Sequence, residues 1–311
     1  MVDDPFTPGP GHSDAVVPLP PPPRLRRLAD GALHLAAPAK INLNLLVGPR
    51  GPDGFHPVDS LVAKVTLCDD VRLRPRQDGR IVLRCTGHDC GPQESNLAVR
   101  VARALAQGRD VPGVTIDLTK QIPPGAGLGG GSSDAAAVLV GLDELWRLAW
   151  PGERLTEVAA RLGSDVPLFL GPPASRITGR GETLQPVALH PFLAVLFLPG
   201  FACPTAEVYR AFDRLPLEGL RQVEASLLSA PPSRWRGQMR NQLMTAAGMV
   251  AKELPPLVKR LARALPVPVA MSGSGSALFA LCDDLTEARA VLAATPVDLR
   301  DRCVLVASNN W

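Results

Sequence analysis

The sequence has few aromatic residues, no excess of one charge and no apolar run long enough to cross a membrane. Phe, Trp and Tyr make up 4% of the 311 residues, which argues against a base-stacking surface for single-stranded nucleic acid. Lys and Arg number 33 against 30 for Asp and Glu, so charge gives no reason to expect a nucleic-acid or membrane partner. The apolar run FLAVLFLPGF at 192–201 is far too short for a bilayer. We therefore expect no nucleic acid and no membrane as partner, and the sequence leaves the oligomeric state open.

The six cysteines form no CxxC pair, and none has a histidine nearby at metal-ligand spacing. We interpret them as free thiols in a reducing cytosol rather than as zinc ligands or disulfides. The N-terminal head is rich in proline, carries Asp3 and Asp4, and lacks the apolar segment of a signal peptide. Its acidic residues also count against an organelle transit peptide. These features predict a cytoplasmic protein whose residues 1–31 form a disordered, proline-rich extension.

The folded part is predicted to begin near residue 32 with a long strand. In ALHLAAPAKINLNLLVG (32–48), apolar residues alternate with small or polar ones, which is the periodicity of a strand. Lys40, Asn42 and Asn44 then project from the face opposite the apolar one. Either this second face is an ordinary solvent-facing surface, or its lysine and asparagines belong to a site.

Strand-like and helical segments alternate along the rest of the chain. A helix is predicted at 95–105, with Ser95 as its N-cap. From about residue 190 the pattern restarts with a strand, and further helices and strands follow. Alternation without strict βαβ regularity predicts an α+β protein of two domains, which we place at 32–188 and 189–311.

Residues 123–139, PPGAGLGGGSSDAAAVL, place a glycine-rich loop between a predicted strand and a predicted helix. A glycine run costs backbone entropy on folding, so the loop needs a reason for carrying so few side chains. The first turn of a helix offers unpaired N–H groups and the positive end of the helix dipole. Glycines before it let the backbone approach an anion closely, so the segment is suited to bind a phosphate chain.

Three other interpretations of this loop fit less well. Gly125, Gly127 and Gly130 match the G-x-G-x-x-G dinucleotide pattern, but no strand ending in an acidic residue follows at the required distance. The Walker A pattern fails because no lysine separates the glycines from Ser132. A flexible linker would not lie between strand-like and helical apolar segments. Phosphate binding is therefore the interpretation that we favour.

A phosphate loop without its own lysine needs cationic and acid–base groups from elsewhere in the fold. Lys40 is one candidate, and Asp165 is another, since it follows a helix-ending glycine in a short turn. In isolation Asp165 is as readily explained as a turn aspartate that caps local N–H groups. As a pair, Lys40 and Asp165 would orient a hydroxyl toward the γ-phosphate of a nucleotide.

Several segments together resemble a known family. The glycine-rich segment is similar to the second signature of the GHMP kinases, the superfamily of galactokinase, homoserine kinase and mevalonate kinase. PAKINLNLLV, DGFH, LGSDVPLFL and MSGSGSALFAL, in this order, resemble one branch of it, the 4-diphosphocytidyl-2-C-methyl-D-erythritol kinases of the non-mevalonate isoprenoid pathway. The resemblance spans about residues 33–308.

The resemblance implies a fold, a reaction and cofactors. The fold is the two-domain GHMP kinase fold, with an N-terminal ATP-binding domain like domain 2 of ribosomal protein S5 and a C-terminal ferredoxin-like domain. The reaction is transfer of the ATP γ-phosphate, with Mg²⁺, to the 2-hydroxyl of the methylerythritol part of a cytidine diphosphate substrate. Another GHMP small-molecule kinase such as homoserine kinase, or an inactive nucleotide-binding relative, remains an alternative. A dinucleotide-dependent oxidoreductase is a more distant one.

The resemblance also implies roles for individual residues. Lys40 and Asp165 fall on the catalytic pair, with Asp165 accepting or polarising the hydroxyl proton and Lys40 stabilising developing charge. Asn96 would lie near the adenine, and Ser132 or Ser133 near magnesium. The implied ATP-binding residues are Asn96, Pro124, Gly125, Ala126, Gly127, Leu128, Gly129, Gly130, Gly131, Ser132 and Ser133. The implied substrate-binding residues are Asn42, Phe55, His56, Thr205 and Tyr209, of which Phe55, His56 and Tyr209 would lie against the cytosine.

Three positions depart from the pattern of that branch, and the mildest, SGSGS in place of S-G-T-G, keeps both turn glycines, Gly273 and Gly275. Gln242 replaces the acidic residue of an R-N-D-x-E element, which puts any charge-dependent role there in doubt. Arg180, in GRGE, stands where a small apolar residue is usual near the substrate. Its side chain would either contact a phosphate or point to solvent.

Overall fold

A computed structural model of the protein describes residues 25–216, 222–224 and 227–308. Residues 1–24, most of the predicted extension, lie outside the described residues. The prediction of disorder up to residue 31 is wrong at its C-terminal end, because Leu25–Arg27 forms a strand. This strand pairs antiparallel with the segment 33–35, so the folded part begins earlier than the hydrophobic pattern indicated.

The first sheet has seven strands and packs against four helices. The strands are β1 (Leu25–Arg27), β2 (Leu33–Val47), β3 (Val58–Arg76), β4 (Ile81–Gly87), β5 (Gly113–Lys120), β6 (Ala174–Gly179) and β7 (Thr183–Pro186). Their order is β1-β2-β3-β5-β4, with β6 pairing with β3 and β7 with β6. The helices are α1 (Leu97–Ala106), α2 (Gly130–Leu145), α3 (Gly152–Leu162) and α4 (Val166–Leu170).

The second sheet has four antiparallel strands in the order β11-β8-β10-β9. They are β8 (Leu193–Phe197), β9 (Ala270–Met271), β10 (Leu278–Cys282) and β11 (Cys303–Ala307). Its helices are α5 (Thr205–Phe212), α6 (Met244–Val250), α7 (Leu254–Ala264) and α8 (Leu285–Ala294). Numbered within this sheet the order is 4-1-3-2, the arrangement of a ferredoxin-like fold. The predicted boundary at 188/189 falls in the connection between the two sheets and stays a prediction. Within the described part of the chain, no helix is long and apolar enough to cross a membrane.

Three clusters of buried apolar side chains lie between four layers, which are helices, sheet, sheet and helices. The first cluster joins the first sheet to α1–α4, and the third joins the second sheet to α5–α8. The middle cluster joins the two sheets directly, with Ile41 and Leu43 from β2 beside Phe279 and Leu281 from β10. Because burial of apolar surface is the main favourable term in folding, this middle layer holds the two halves together.

Strand β2 changes the face that it presents to the helices at a β-bulge between Pro38 and Ala39. Before the bulge its odd-numbered residues pack with the helices, and after it they pack with the second sheet. Lys40 and Asn42 consequently turn toward the helix side, where both are buried. The prediction that they oppose the apolar face is confirmed, and the alternative of a solvent-facing surface is wrong.

The prediction of free thiols is wrong for one pair of cysteines. Cys85, in β4, and Cys90, in the loop that follows, form a disulfide with their Cα atoms 6.4 Å apart. Cys68, Cys203, Cys282 and Cys303 are free, as predicted. Sequence spacing could not identify the pair, because the turn after β4 is what brings the two sulfur atoms together.

Candidate active site

A cavity of about 1080 Å³ lies between the two halves of the molecule and is lined by both. The first half contributes the glycine loop at 123–131, Lys40 and Asp165, and the second contributes Thr205 and Tyr209. A cleft of this kind, lined from two sides, is where small-molecule sites commonly lie.

The glycine loop is held against the second half of the molecule by close backbone contacts. Gly127 has a φ of +78°, and a Cβ at this position would overlap the carbonyl of Ser272. Ser272 Oγ donates to the Gly127 carbonyl at 2.9 Å, and Ala277 N donates to the Ala126 carbonyl at 3.0 Å. Glycine is thus required here for both the backbone conformation and the close approach.

The loop ends at the first turn of α2, whose N-cap is Gly129 with a φ of +74°. Gly131, in that first turn, lines the cavity, and a Cβ there would meet no protein atom within 4 Å. Packing therefore does not explain the glycine at 131. The missing side chain leaves open space at a helix N-terminus, which is the environment suited to an anion such as phosphate.

Lys40 lies beside the start of α2 and is held by the asparagine two residues later. Its Nζ donates to Asn42 Oδ1 at 2.5 Å, while Asn42 Nδ2 donates to Ser60 Oγ at 2.8 Å. Its backbone N–H donates to the Leu128 carbonyl at 2.9 Å, which ties β2 to the glycine loop. Burial lowers the pKa of Lys40 below its usual 10.5, and the charge of Asp165 acts in the opposite direction.

Asp165 occupies the residue before α4, and its side chain makes no capping hydrogen bond to that helix. The alternative that it merely caps local N–H groups is therefore wrong. Both Asp165 and Lys40 line the cavity, and burial together with the Asp165 charge raises the pKa of Tyr209 to about 12. The structure thus brings the predicted acid–base pair to one wall, within electrostatic reach of each other.

The predicted cytosine-contacting residues all line the same cavity, and two of them are in ring contact. The rings of His56 and Tyr209 are 5.4 Å apart between centroids, and Phe55 is 54% exposed at the cavity rim. His56 Nδ1 lies 2.9 Å from the Gly48 carbonyl, and His56 Nε2 lies 3.0 Å from Asp213 Oδ1. The sequence reading missed Asp213, although it follows Tyr209 by one helical turn.

Thr205 lies where α5 begins, on the side of the cavity formed by the second half. Its Oγ1 is 3.0 Å from Ser274 Oγ, in the SGSGS turn that also contacts the glycine loop. Both hydroxyls line the cavity. The predicted substrate contact of Thr205 thus remains open to test, and the structure adds Ser274 as its partner.

Asn96 lines the cavity as the N-cap of α1, so the prediction of Ser95 in that role is wrong. Its Oδ1 accepts from Ala98 N at 2.9 Å, and its Nδ2 donates to the Cys90 carbonyl at 3.0 Å. The side chain therefore fixes the disulfide-bearing loop at the cavity rim. Its predicted contact with adenine remains a prediction.

The two serines after the glycines face different ways. Ser132 lines the cavity, whereas Ser133 is buried beside Leu35 and Ala36, away from it. The backbone N–H of Ser133 is also used, since it donates to the Gly129 carbonyl at 3.0 Å. The structure therefore does not bring Ser133 to the phosphate position, because one step along a helix turns the side chain by about 100°.

A buried ion cluster, which the sequence reading missed, supports the glycine loop. Lys120 pairs with Asp69 and, at 2.7 Å, with Asp134 in the first turns of α2. Asp69 also accepts from the backbone N–H groups of Gln121 and Ile122. Burial, together with the Asp69 charge, raises the pKa of Asp134, which Lys120 opposes. Lys120 and Asp134 lie on either side of the glycine run in the sequence. These two opposite charges are the feature from which the cluster could have been predicted.

The donors at the cavity suit a magnesium ion held mainly by phosphates. Within the described ranges, no group of three His, Cys, Asp or Glu side chains could hold a metal by itself. Ser132, in the first turn of α2, and Asp165 both line the cavity. Mg²⁺ at kinase sites is usually bound through one or two carboxylates plus the phosphates, which matches this sparse set.

Comparison with known proteins identifies the family. The model of the GHMP kinases N terminal domain matches residues 96–171, and that of the GHMP kinases C terminal domain matches 234–295. The 4-diphosphocytidyl-2-C-methyl-D-erythritol kinase of Chromobacterium violaceum is 39% identical over 78% of this chain and 84% of its own length. The enzyme of the same name from Thermus thermophilus is 41% identical over 81% of this chain and 89% of its own.

Solved structures agree with this assignment. A crystal structure of 4-(cytidine 5′-diphospho)-2C-methyl-D-erythritol kinase superposes with a TM-score of 0.73 at 37% identity, covering 89% of this chain and 99% of the other. Homoserine kinase from Cytophaga hutchinsonii, at 17% identity and a TM-score of 0.63 over 90% and 95% of the two chains, shares the fold. The predicted two-domain α+β GHMP kinase fold is confirmed. The chain belongs to the GHMP kinases and, within them, to the 4-diphosphocytidyl-2-C-methyl-D-erythritol kinase family.

Proposed function

We propose that this protein transfers the γ-phosphate of ATP to the 2-hydroxyl of 4-diphosphocytidyl-2-C-methyl-D-erythritol, a step of the non-mevalonate isoprenoid pathway. The observation that carries the proposal is the shared cavity, where Lys40 lies beside the open N-terminus of α2 and Asp165 lies within electrostatic reach of Lys40. An anion held at that helix start would face a cation and a carboxylate able to position an alcohol.

The chemistry follows from the environment of each group. Asp165, with no capping duty, is available to accept or polarise the proton of the attacking hydroxyl. Lys40, fixed by Asn42, stabilises the negative charge that develops on the transferring group. Magnesium, when bound, would neutralise phosphate charge, and Ser132 would help to hold it.

Different residues of the cavity would bind the two substrates. We assign the ATP phosphates to the loop at 124–132 and the adenine to the neighbourhood of Asn96. We assign the cytosine to Phe55, His56 and Tyr209, whose ring faces suit a flat base. Asn42 and Thr205 would contact the remaining part of the substrate.

A coupled assay of ADP release tests the proposal directly. We expect ATP-dependent turnover with 4-diphosphocytidyl-2-C-methyl-D-erythritol and none with homoserine or mevalonate. Turnover with homoserine alone would assign another GHMP activity, and ATP binding without phosphate transfer would assign an inactive relative. We also propose a cytoplasmic location. The four free cysteines support it, because thiols stay reduced in the cytosol, whereas the Cys85–Cys90 disulfide counts against it.

A further inference from the structure

Arg180 makes two contacts with the loop that carries the cytosine-contacting residues. It lies in the turn between β6 and β7 and lines the cavity. Its guanidinium pairs with the carboxylate of Asp53 and lies 4.9 Å from the ring centroid of Phe55. One side chain thus engages both a charge and an aromatic face of the loop at 48–57.

The turn that carries Arg180 also touches the segment of the proposed acid–base residue. A Cβ at Gly181 would lie 3.4 Å from the carbonyl of Ser164, so the backbone of the turn packs against the residue before Asp165. Gly181, Ser164 and Asp165 all line the cavity. The β6–β7 turn therefore contacts both the segment of the proposed acid–base residue and the loop that carries Phe55.

These contacts are too weak to stabilise the fold, but they can position a loop. Arg180 and Asp53 are both substantially exposed, and exposed ion pairs contribute little to folding stability. A guanidinium over an aromatic face adds a weak, orientation-dependent attraction. Phe55 itself is more than half exposed and so has little packing of its own to fix it. These weak contacts therefore act on the orientation of Phe55.

We propose that Arg180 is a positioning residue for the cytidine end of the substrate. It holds the loop at 48–57 against the β6–β7 turn, covers one face of Phe55 and leaves the other face for the base. This inference rests on the proposed function, because the proposed function assigns the aromatic residues of the cavity to a pyrimidine nucleotide. It also gives the departure at position 180 a role in substrate affinity.

The experiment compares Arg180→Ala with Arg176→Ala in the full chain. Arg176 lies in the adjacent strand β6 and forms an Arg–Asp pair with Asp59 at 2.7 Å, but neither residue lines the cavity. We expect Arg180→Ala to raise KM for the cytidylyl substrate about 3- to 20-fold. Values of kcat and of KM for ATP should stay within about twofold, and Arg176→Ala should match the wild type.

Two further variants separate the contacts. Asp53→Asn removes the ion pair but leaves the stack, so it should raise the same KM less than Arg180→Ala does. Arg180→Lys keeps a charge for Asp53 but lacks the planar group that stacks well, so it should restore affinity in part. Calorimetric titration with cytidine diphosphate should show the same order of affinities without any turnover.

The outcomes distinguish this inference from the proposed function. A wild-type protein that neither turns over the cytidylyl substrate nor binds cytidine diphosphate would overturn both. An active wild type whose Arg180→Ala variant matches Arg176→Ala would overturn the positioning role alone. An Arg180→Ala variant that loses kcat but keeps the wild-type KM for the cytidylyl substrate would also overturn the positioning role. A tighter-binding Asp53→Asn variant would also overturn it, because Arg180 would then act on the phosphates and Asp53 would compete for it.

Discussion

Among single residues, Asp165 and Lys40 carry the chemistry, and each has an environment that separates it from an ordinary surface charge. Asp165 precedes a helix without capping it. Lys40 is buried with an asparagine as its direct partner. The sequence suggested both residues as candidates, but only the structure shows that a helix start, an ammonium and a carboxylate share one cavity.

Replacing Asp165 with Asn should remove proton acceptance while keeping the size of the side chain. We expect kcat to fall by about 10²- to 10⁴-fold, the usual range for a general acid–base group. KM for ATP should change little, because the glycine loop and α2 are untouched. Steady-state kinetics with both substrates check this, and near-normal turnover would exclude the assigned role.

The lowered pKa of Lys40 predicts a specific pH dependence. Lys40 must be protonated to stabilise developing negative charge, so kcat should fall as the pH rises through its pKa. Because burial lowers that pKa, the alkaline limb of the kcat profile should lie below the ordinary lysine value of 10.5. A pH series of single-turnover rates measures the position of the limb.

Two variants identify the group that titrates in that profile. Lys40→Arg carries a cation that stays protonated, so in whatever activity it retains the alkaline limb should disappear. Tyr209 is another titratable group at the cavity, with a pKa raised to about 12, so Tyr209→Phe should leave the limb at the same pH. A limb that persists in Lys40→Arg would assign the titration to another residue.

At the scale of elements, the start of α2 is where sequence and structure agree most closely. The strand, glycine loop and helix were predicted in order from periodicity, and β5 and α2 confirm them. The tight fit of Gly127 against Ser272 was not predictable, because it depends on a turn far away in sequence. Close packing explains why residue 127 is glycine. Nothing packs closely at residue 131, so we explain the glycine there by the space that it leaves free for a phosphate.

Gly131→Ala tests whether that space serves a phosphate. Alanine favours helix over glycine by about 0.5–1 kcal/mol, and no protein atom lies within 4 Å of the new Cβ. The variant should therefore unfold at the same or a slightly higher temperature. Its KM for ATP should nevertheless rise by about tenfold or more, because the methyl group occupies the anion position.

The matched control is Gly152→Ala, at the first residue of α3. A Cβ there also meets nothing within 4 Å, and the position does not line the cavity. We expect Gly152→Ala to share the thermal behaviour of Gly131→Ala and to leave KM for ATP unchanged. Equal effects of the two substitutions on ATP would show that the open space at 131 has no part in binding.

Strand β2 shows why predicting the secondary structure was not enough to predict the site. The sequence located the strand and placed Lys40 and Asn42 on a common face, but it put all the apolar residues on one face, whereas the structure divides them between two. The bulge at Pro38/Ala39 could not be predicted, because register shifts depend on the partner strand. It is this bulge that turns Lys40 toward α2, so the sequence identified the residue but not what it faces.

At the scale of the whole molecule, the cavity exists because two halves dock along β2. The segment at 240–242 runs beside this strand, where Arg240 N donates to Asn44 Oδ1 at 2.8 Å and Gln242 N donates to the Leu45 carbonyl at 3.0 Å. Asn44, which the alternation placed on the same face as Lys40 and Asn42, follows a second register shift and joins the two halves instead. The ferredoxin-like order of the second sheet followed from the family resemblance, whereas this docking required coordinates.

Gln242, which departs from the acidic residue that the family resemblance implied, provides an acceptor at the junction. Its Oε1 accepts from the backbone N–H of Val47 at 2.6 Å, and Val47 is fully buried. Gln242→Ala should therefore lower the free energy of unfolding by about 1–3 kcal/mol, the cost of leaving a buried donor unpaired. Gln242→Glu should lose much less, because a carboxylate also accepts from this N–H. Urea denaturation of both variants measures the difference, with Gln185→Ala, on the exposed strand β7, as the control for loss of an amide side chain. If Gln242→Ala costs no more than Gln185→Ala, the two halves are held by the apolar layer between the sheets, and the departure at 242 is neutral for their docking.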